Sequence, residues 1–304
     1  MNVALMGSVS SSWYALDALI RGEVEVTGVL GVDESRAEHV SDYRSLRERG
    51  GDAGIPFHSF VKVSEPGVEA FLMDHAPDLL WVIGLSQLVP DRLMAIARIG
   101  GVGFHPTMLP EGRGRAPVAW TILRGARAAA NLFFLTDEPD GGDIIIQREV
   151  PVLPDDYSED LIERTNRVLA DAILELAPRI CAGDVPRTPQ DHSKASYYPK
   201  RTPADGLIDW AESTEAIYRL IRAAGRPYRG AFTRHQQQRL TVWRGRPSEA
   251  CAAGGSGRPG SVLSVSRSTG IAVATGDGAI LMTEVEAESG DEASDVLQVG
   301  ALLS

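Results

Sequence analysis

The chain has 304 residues, of which 43% are hydrophobic and 23% charged, a composition typical of a globular protein with room for two domains. Its net charge of −11 argues against a general affinity for nucleic acid, because phosphate binding needs a basic surface. No run of about 18 apolar residues is present, and no cationic region precedes the first apolar stretch. We therefore expect a cytoplasmic protein without a membrane partner. Two cysteines are too few for a disulfide framework or a thiolate metal site.

The N-terminal part of the chain alternates short apolar runs with amphipathic segments. Amphipathic stretches such as WYALDALIRG (13–22) predict helices, and a long helix is predicted near residues 157–182. This alternation predicts an α/β domain with a doubly wound, mostly parallel sheet over residues 1–182. The predicted strands are NVALMG (2–7), EVTGVLGVD (25–33), APDLLWVIGLS (76–86), GGVGFHPT (100–107), NLFFLTDE (131–138) and DIIIQREVPV (143–152).

The C-terminal part of the chain has a different pattern. Residues 183–204 are rich in proline and polar residues and show no periodicity, which predicts a linker on the surface. One helix, STEAIYRLIRAAG (213–225), then precedes several short strand-like runs that are separated by glycines. This spacing predicts a small β-barrel of the OB type over residues 205–304, with a mobile loop at AAGGSGRPG (252–260).

His105 stands in GFHPTMLPEGRGRAP (103–117), a segment too rich in glycine and proline for an ordinary helix or strand. It follows the predicted strand GGVGF directly, and ligands of parallel α/β sheets bind outside the carboxyl ends of the strands. Pro106 biases His105 toward an extended conformation, which helps to fix its side chain. His105 is therefore a candidate catalytic residue, with a hydrogen-bonded structural histidine as the alternative.

A second polar segment, LTDEPDGGDIII (135–146), carries four carboxylates between two predicted strands. Aspartate before glycine is favoured in turns, so turn formation alone explains part of this pattern. Both polar segments, however, leave neighbouring strand ends. A carboxylate from the turn is thus placed to reach His105, orient its ring and favour its charged form.

Together, HPTMLPEGRGRAP and DEPDGGDIIIQ resemble the motifs of the family that transfers a formyl group from 10-formyltetrahydrofolate. That family includes methionyl-tRNA, glycinamide ribonucleotide and sugar-nucleotide formyltransferases. KRTPADGLIDW (200–210) is similar to the start of the β-barrel domain in the tRNA and sugar-nucleotide members. The resemblance covers nearly the whole chain. It implies a formyltransferase domain, a barrel that helps to hold the acceptor, 10-formyltetrahydrofolate as co-substrate and no metal.

The resemblance also implies roles for individual residues. His105 matches the catalytic histidine, and Asp140 matches the aspartate that orients and charges it. GLSQLVP (84–90) is similar to the folate-side loop of the family. The positions implied to receive the pterin are Gly84, Leu85, Leu88, Val89, Pro90, Glu138, Pro139 and Gly141.

One position departs from the family pattern. The family has an asparagine two residues before the histidine, whose amide holds the formyl oxygen, and Gly103 stands there in this chain. A donor of this kind is typically worth about 3 kcal/mol. Glycine leaves space, so we expect a water, a nearby side chain such as Thr107, or the charged form of His105 to replace the amide. We expect catalysis to be retained, with a non-catalytic folate-binding or regulatory homologue as the alternative.

The acceptor is indicated by basic residues. Residues 219–246 hold eight arginines and no acidic residue, interleaved with aromatic residues, which suits phosphate contact and base stacking. Arginines that decorate a solvated helix or pair with acidic groups are the alternative. We expect a small, phosphorylated or nucleotide-linked amine, with methionyl-tRNA as the alternative acceptor and a homodimer left open. The predicted acceptor contacts are Thr107, Arg113, Arg115 and Arg229.

Overall fold

The computed structural model describes residues 1–248 and 257–304, so most of the loop predicted over 252–260 lies outside the described residues. The chain divides into two compact units. The first contains residues 1–117, 127–152 and 162–199, and the second contains 118–126, 153–161 and 200–304. None of the helices in the described part of the chain combines the length and apolar character needed to cross a membrane.

The first unit contains a seven-stranded sheet with the order β3-β2-β1-β4-β5-β7-β8. The first five strands of this order are parallel, whereas β7 and β8 are antiparallel to their neighbours. This confirms the predicted α/β fold with a mostly parallel sheet. The strands are β1 (Asn2–Met6), β2 (Glu25–Val32), β3 (Phe57–Phe60), β4 (Leu79–Val82), β5 (Gly100–His105), β7 (Ala128–Phe134) and β8 (Ile144–Val150).

Shorter elements and helices complete the first unit. The two-residue strands β6 (Arg113–Gly114) and β9 (Tyr197–Tyr198) pair in parallel with each other. Helices α5 and α6 each have residues in both units. The helices up to this point are α1 (Ser10–Arg21), α2 (Arg47–Asp52), α3 (Pro66–His75), α4 (Asp91–Met94), α5 (Pro117–Arg124) and α6 (Ser158–Cys181).

The sequence patterns of the central strands explain their position in the sheet. Leu5, Trp81 and Val102 of β1, β4 and β5 are each at most 1% exposed, as expected for parallel strands covered on both faces. Parallel strands end at one edge of the sheet, so His105 lies at the edge where β1 and β4 also end. Element β3 was not predicted because FHSF places two polar residues inside a four-residue strand.

The linker predicted over 183–204 is divided between the units. Residues 162–199 belong to the first unit, because this segment continues from α6 and β9 then pairs with β6. Isolated backbone pairing between Ile144 and Thr188 adds a second attachment. The second unit therefore resumes at Lys200.

Besides its parts of α5 and α6, the second unit contains helices α7 and α8 and an antiparallel sheet with the order β10-β11-β14-β13-β12. Helix α7 begins at the N-cap Ser213 and packs Ile217 and Ile221 into the core of this unit. The elements are α7 (Thr214–Ala224), β10 (Ala231–His235), β11 (Gln238–Pro247), β12 (Val262–Ser266), β13 (Gly270–Ala274), β14 (Ala279–Ala287) and α8 (Ala293–Val296).

The last residues of the chain join the two outer strands of this sheet. The amide of Ser304 donates to the Arg234 carbonyl of β10 (2.9 Å), and the Arg234 amide donates to the Ser304 carbonyl (2.8 Å). On the other side, the Leu303 amide donates to the Gly260 carbonyl (2.9 Å) and the Val262 amide of β12 donates to the Ala301 carbonyl (2.9 Å). Residues 301–304 thus close the sheet, as a small barrel requires.

Replacing Leu303 with alanine should lower the stability of the second unit by about 2 kcal/mol, because its side chain is 4% exposed and lies in the core. The matched control is Leu302→Ala, since Leu302 is 43% exposed and should tolerate the change. Thermal unfolding followed by calorimetry measures both. Equal melting temperatures for the two variants would show that the segment does not hold the barrel together.

Candidate active site

His105 is the last residue of β5 and is only 5% exposed. Its Nε2 atom lies 2.8 Å from the carbonyl oxygen of Gly112, and its Nδ1 atom lies 3.5 Å from Oδ2 of Asp140. A carbonyl oxygen accepts hydrogen bonds only, so Nε2 carries a hydrogen in this arrangement. Nδ1 then faces the carboxylate of Asp140.

Asp140 lies in the turn between β7 and β8. Its backbone has a φ of +54°, a left-handed conformation that aspartate tolerates better than most residues. Besides facing His105, its Oδ2 atom accepts a hydrogen bond from the amide of Gly114 (2.8 Å). The structure therefore brings together the two polar segments that contain the predicted catalytic residues His105 and Asp140.

Two buried amide side chains hold the loop that follows His105. Asn131, opposite His105 on β7 and fully buried, donates through Nδ2 to the carbonyls of His105 (2.7 Å) and Thr107. Gln147 on β8 donates to Oδ1 of Asn131 (2.6 Å) and to the carbonyl of Leu109 (3.0 Å). The sequence analysis missed both residues. The available signal was a single amide residue inside each of two apolar strands, AAANLFF and IIIQREV.

Arg113 holds the loop from the other side and is fully buried. Its guanidinium donates to Oε1 of Glu138 (2.6 Å), to Oε1 of Gln190 (2.8 Å) and to the hydroxyl of Tyr197 (3.1 Å). These contacts hold the two Nη groups of Arg113 inside the protein, and its contact with the acceptor stays a prediction. The hydrogen bond from Tyr197, together with the charges of Arg113 and His192, lowers the pKa of Glu138.

The other predicted acceptor contacts differ in exposure. Thr107 is 2% exposed, and its hydroxyl donates to the carbonyl of Glu111 (2.8 Å), so it serves the loop. Arg115 is exposed, and its backbone amide donates to the carbonyl of Tyr198 (3.0 Å). Arg229 is an exposed residue of the second unit.

The predicted folate-side loop follows β4 at the same edge of the sheet as His105. Gly84 has a φ of +62°, and a Cβ there would lie 2.2 Å from Cγ2 of Val9, so this position requires glycine. Leu85 and Val89 pack against the core, whereas Leu88 is 93% exposed. The exposed side chain of Leu88 could thus pack against one face of an aromatic ring system. On the turn side, the Glu138 carbonyl accepts from the amide of Gly141 (3.1 Å).

The space beside Gly103 is filled by apolar side chains. A Cβ at Gly103 would lie 2.7 Å from Cδ2 of Leu135 and 2.9 Å from Cζ of Phe133. Phe133 is the cross-strand partner of Gly103 and is 1% exposed. The space that the family's asparagine would fill is therefore occupied by the side chains of Leu135 and Phe133. Neither side chain carries a hydrogen-bond donor.

Comparison with known proteins identifies the family. The family model for formyl transferase matches residues 1–176, and the model for the formyl transferase C-terminal domain matches residues 200–296. The chain belongs to the formyl transferase family. This formyltransferase is 31% identical to a methionyl-tRNA formyltransferase of Symbiobacterium thermophilum over 94% of this chain and 88% of that protein. The predicted family and the predicted folate-dependent formyl-transfer activity are confirmed.

Solved structures share the fold of this formyltransferase. HypX from Aquifex aeolicus, in complex with tetrahydrofolic acid, superposes with a TM-score of 0.70 at 19% identity over 94% of this chain. The formyltransferase spans only 44% of HypX. WlaRD, a sugar 3N-formyl transferase, gives a TM-score of 0.65 at 14% identity over 93% of this chain and 97% of its own.

Proposed function

We propose that this formyltransferase moves the formyl group of 10-formyltetrahydrofolate to the primary amine of a small, phosphorylated or nucleotide-linked acceptor. The observation that carries the chemistry is the pairing of buried His105 with half-buried Asp140 at the carboxyl edge of the sheet, with Nδ1 and Oδ2 3.5 Å apart. A histidine beside a carboxylate at such an edge is suited to general acid–base catalysis.

In the proposed reaction, the amine nitrogen bonds to the formyl carbon and the bond from that carbon to N10 of the folate breaks. His105 takes the proton that the amine loses and delivers it to N10. Its Nε2 atom is held by Gly112 at 2.8 Å, whereas the 3.5 Å separation from Asp140 is too long for a strong hydrogen bond. We therefore assign proton transfer to Nδ1, with Asp140 stabilising the imidazolium.

The negative charge that develops on the formyl oxygen needs a hydrogen-bond donor, and Gly103 offers no side-chain amide for it. The hydroxyl of Thr107 is engaged by the Glu111 carbonyl, and the amide of Asn131 is engaged by two loop carbonyls. Apolar side chains fill the space beside Gly103. These contacts favour the remaining candidate, the charged form of His105, as the group that stabilises the oxyanion.

The pterin is proposed to bind between two polypeptide segments of the first unit. The exposed Leu88 would cover one face of the ring, and backbone groups of Gly84 to Pro90 and of Glu138 to Gly141 would receive its polar edge. At Gly141, a Cβ would lie 2.7 Å from the carboxyl group of Glu138, so the Glu138 side chain lies against the backbone of this turn.

Ion pairs within the second unit indicate which of its arginines are available to bind an anionic acceptor. Three of the eight arginines over 219–246 pair with carboxylates: Arg219 with Glu215 (2.6 Å), Arg226 with Glu284 (2.7 Å) and Arg244 with Glu159. Within residues 1–248 and 257–304, Arg229, Arg234 and Arg239 pair with no carboxylate. Arg234 and Arg239 lie directly opposite on β10 and β11. A few arginines without a carboxylate partner suit a small anion better than the long phosphate backbone of tRNA.

Replacing Arg229, Arg234 and Arg239 with glutamine should raise the acceptor KM about 10-fold and reduce its salt dependence, while the KM for the folate stays unchanged. The matched control is Arg226→Gln, which removes a charge already paired with Glu284. Steady-state kinetics at several salt concentrations measure these effects. An acceptor KM that is insensitive to salt and equal in all variants would leave these arginines without a binding role.

Incubation with 10-formyltetrahydrofolate and a panel of acceptors tests the proposal, with release of tetrahydrofolate as the readout. The panel includes amino sugars linked to nucleotides, phosphorylated amines and methionyl-tRNA, the acceptor named for the 31% identical relative. Turnover with a small amine alone supports the proposal, and turnover with methionyl-tRNA alone supports the alternative acceptor. Release of tetrahydrofolate without acceptor would indicate hydrolysis. Folate binding without turnover would indicate a non-catalytic homologue.

A further inference from the structure

Gln190 lies in the segment predicted as a linker, yet it is only 7% exposed. Its side-chain amide makes three hydrogen bonds. Oε1 accepts from Nη2 of Arg113 (2.8 Å), and Nε2 donates to the carbonyls of Asp140 (2.8 Å) and Gly142 (2.7 Å). Both hydrogens of the amide are thus donated to the turn that carries Asp140.

These hydrogen bonds hold a turn whose backbone is also constrained at Asp140 and Gly142. Asp140 has a φ of +54°, which is disfavoured for a residue with a side chain, so the conformation needs contacts that hold it. At the end of the turn, a Cβ on Gly142 would lie 1.8 Å from the Phe134 carbonyl oxygen, so the backbone is in close contact there. Gln190 therefore holds the backbone of the turn at both Asp140 and Gly142.

The segment that carries Gln190 is itself attached to the loop after His105. The amide of Gly112 donates to Oγ of Ser196 (2.9 Å), and the amide of Arg113 donates to the Ser196 carbonyl (2.9 Å). Gly112 is also the residue whose carbonyl accepts from His105. One segment therefore contacts both the histidine loop and the aspartate turn.

We propose that Gln190 is a positioning residue, which holds the Asp140 carboxylate in place against Nδ1 of His105 during formyl transfer. This inference rests on the proposed roles of His105 and Asp140. If Gln190 acts through Asp140, its removal matters only while Asp140 carries a carboxylate that can be misplaced.

The test is a double-mutant cycle on kcat with Gln190→Met, Asp140→Asn and the combined variant. We expect Gln190→Met to lower kcat about 10-fold with little change in the KM for the folate. In the Asp140→Asn background, the same substitution should lower kcat less than about twofold. Gln190→Glu keeps the acceptor for Arg113 and loses both donors, so it should reproduce the kcat loss if Gln190→Met does not fold. Gln298→Glu, at an exposed glutamine of the second unit, is the matched control.

The outcomes separate the inference from the proposed function. Equal losses from Gln190→Met in both backgrounds, or a lower melting temperature with an unchanged kcat, would overturn the positioning role alone. Full activity of Asp140→Asn would overturn the proposed role of Asp140, and the positioning role would fail with it. A loss that is confined to the background with Asp140 supports the inference.

Discussion

Replacing His105 with alanine should reduce kcat at least about 100-fold, because a group that transfers the proton typically contributes that much. Asp140→Asn should have an effect of similar size, since the amide carries no charge to stabilise the imidazolium. Loss of the His105 ring also removes the hydrogen bond to Gly112. Tetrahydrofolate release under saturating donor and acceptor measures both changes.

Melting temperatures of the two variants separate catalysis from folding. A matched control is Asn131→Ser, which removes the amide behind the loop without touching either ring nitrogen of His105. Since Asn131 is buried, this control should lower stability more than His105→Ala does and kcat less. Wild-type turnover in His105→Ala would remove the histidine from the mechanism.

Restoring the family's asparagine in Gly103→Asn should destabilise the protein by about 3 kcal/mol and lower turnover. The reason is the contact of a Cβ at this position with Leu135 and Phe133, which overpacks the interior and also buries an amide among apolar groups. Chemical denaturation measures the stability, and turnover with the identified acceptor measures the activity.

A second substitution tests the same contact from the other side. Leu135→Ala removes the atom nearest to the new Cβ, so Gly103→Asn combined with Leu135→Ala should be more stable than Gly103→Asn alone. Leu135→Ala by itself is the control for the loss of packing. If the combined variant alone consumes 10-formyltetrahydrofolate, the natural chain is a disabled enzyme whose other parts are intact. Equal stability of Gly103→Asn and wild type would show that this space is open.

Local patterns in the sequence determined most of the elements and the two polar segments of the site. Apolar runs of four to eight residues predict buried strands because each residue is covered on both faces of a parallel sheet, as β1 and β4 are. Proline restricts the backbone and glycine permits conformations that other residues avoid, so the loop after β5 and the turn before β8 are visible in the sequence. The rule that ligands bind at the carboxyl edge then predicted a carboxylate of the turn near His105, and the resemblance to the family named Asp140.

Tertiary structure alone decided which polar side chains serve the fold and which stay in solvent. Arg113 and Arg115 look alike in GRGRAP, but the first is buried by partners such as Gln190, which is 77 positions away, and the second is exposed. The same holds for the space beside Gly103, which Leu135, directly after β7, fills, and for residues 301–304, which close the sheet between β10 and β12. Each outcome depends on contacts between segments distant in sequence, and no local periodicity or turn preference encodes such contacts. The sequence by itself therefore predicted most of the strands and the candidate reactive residues, whereas packing at long range determined the hydrogen-bond partners that hold them.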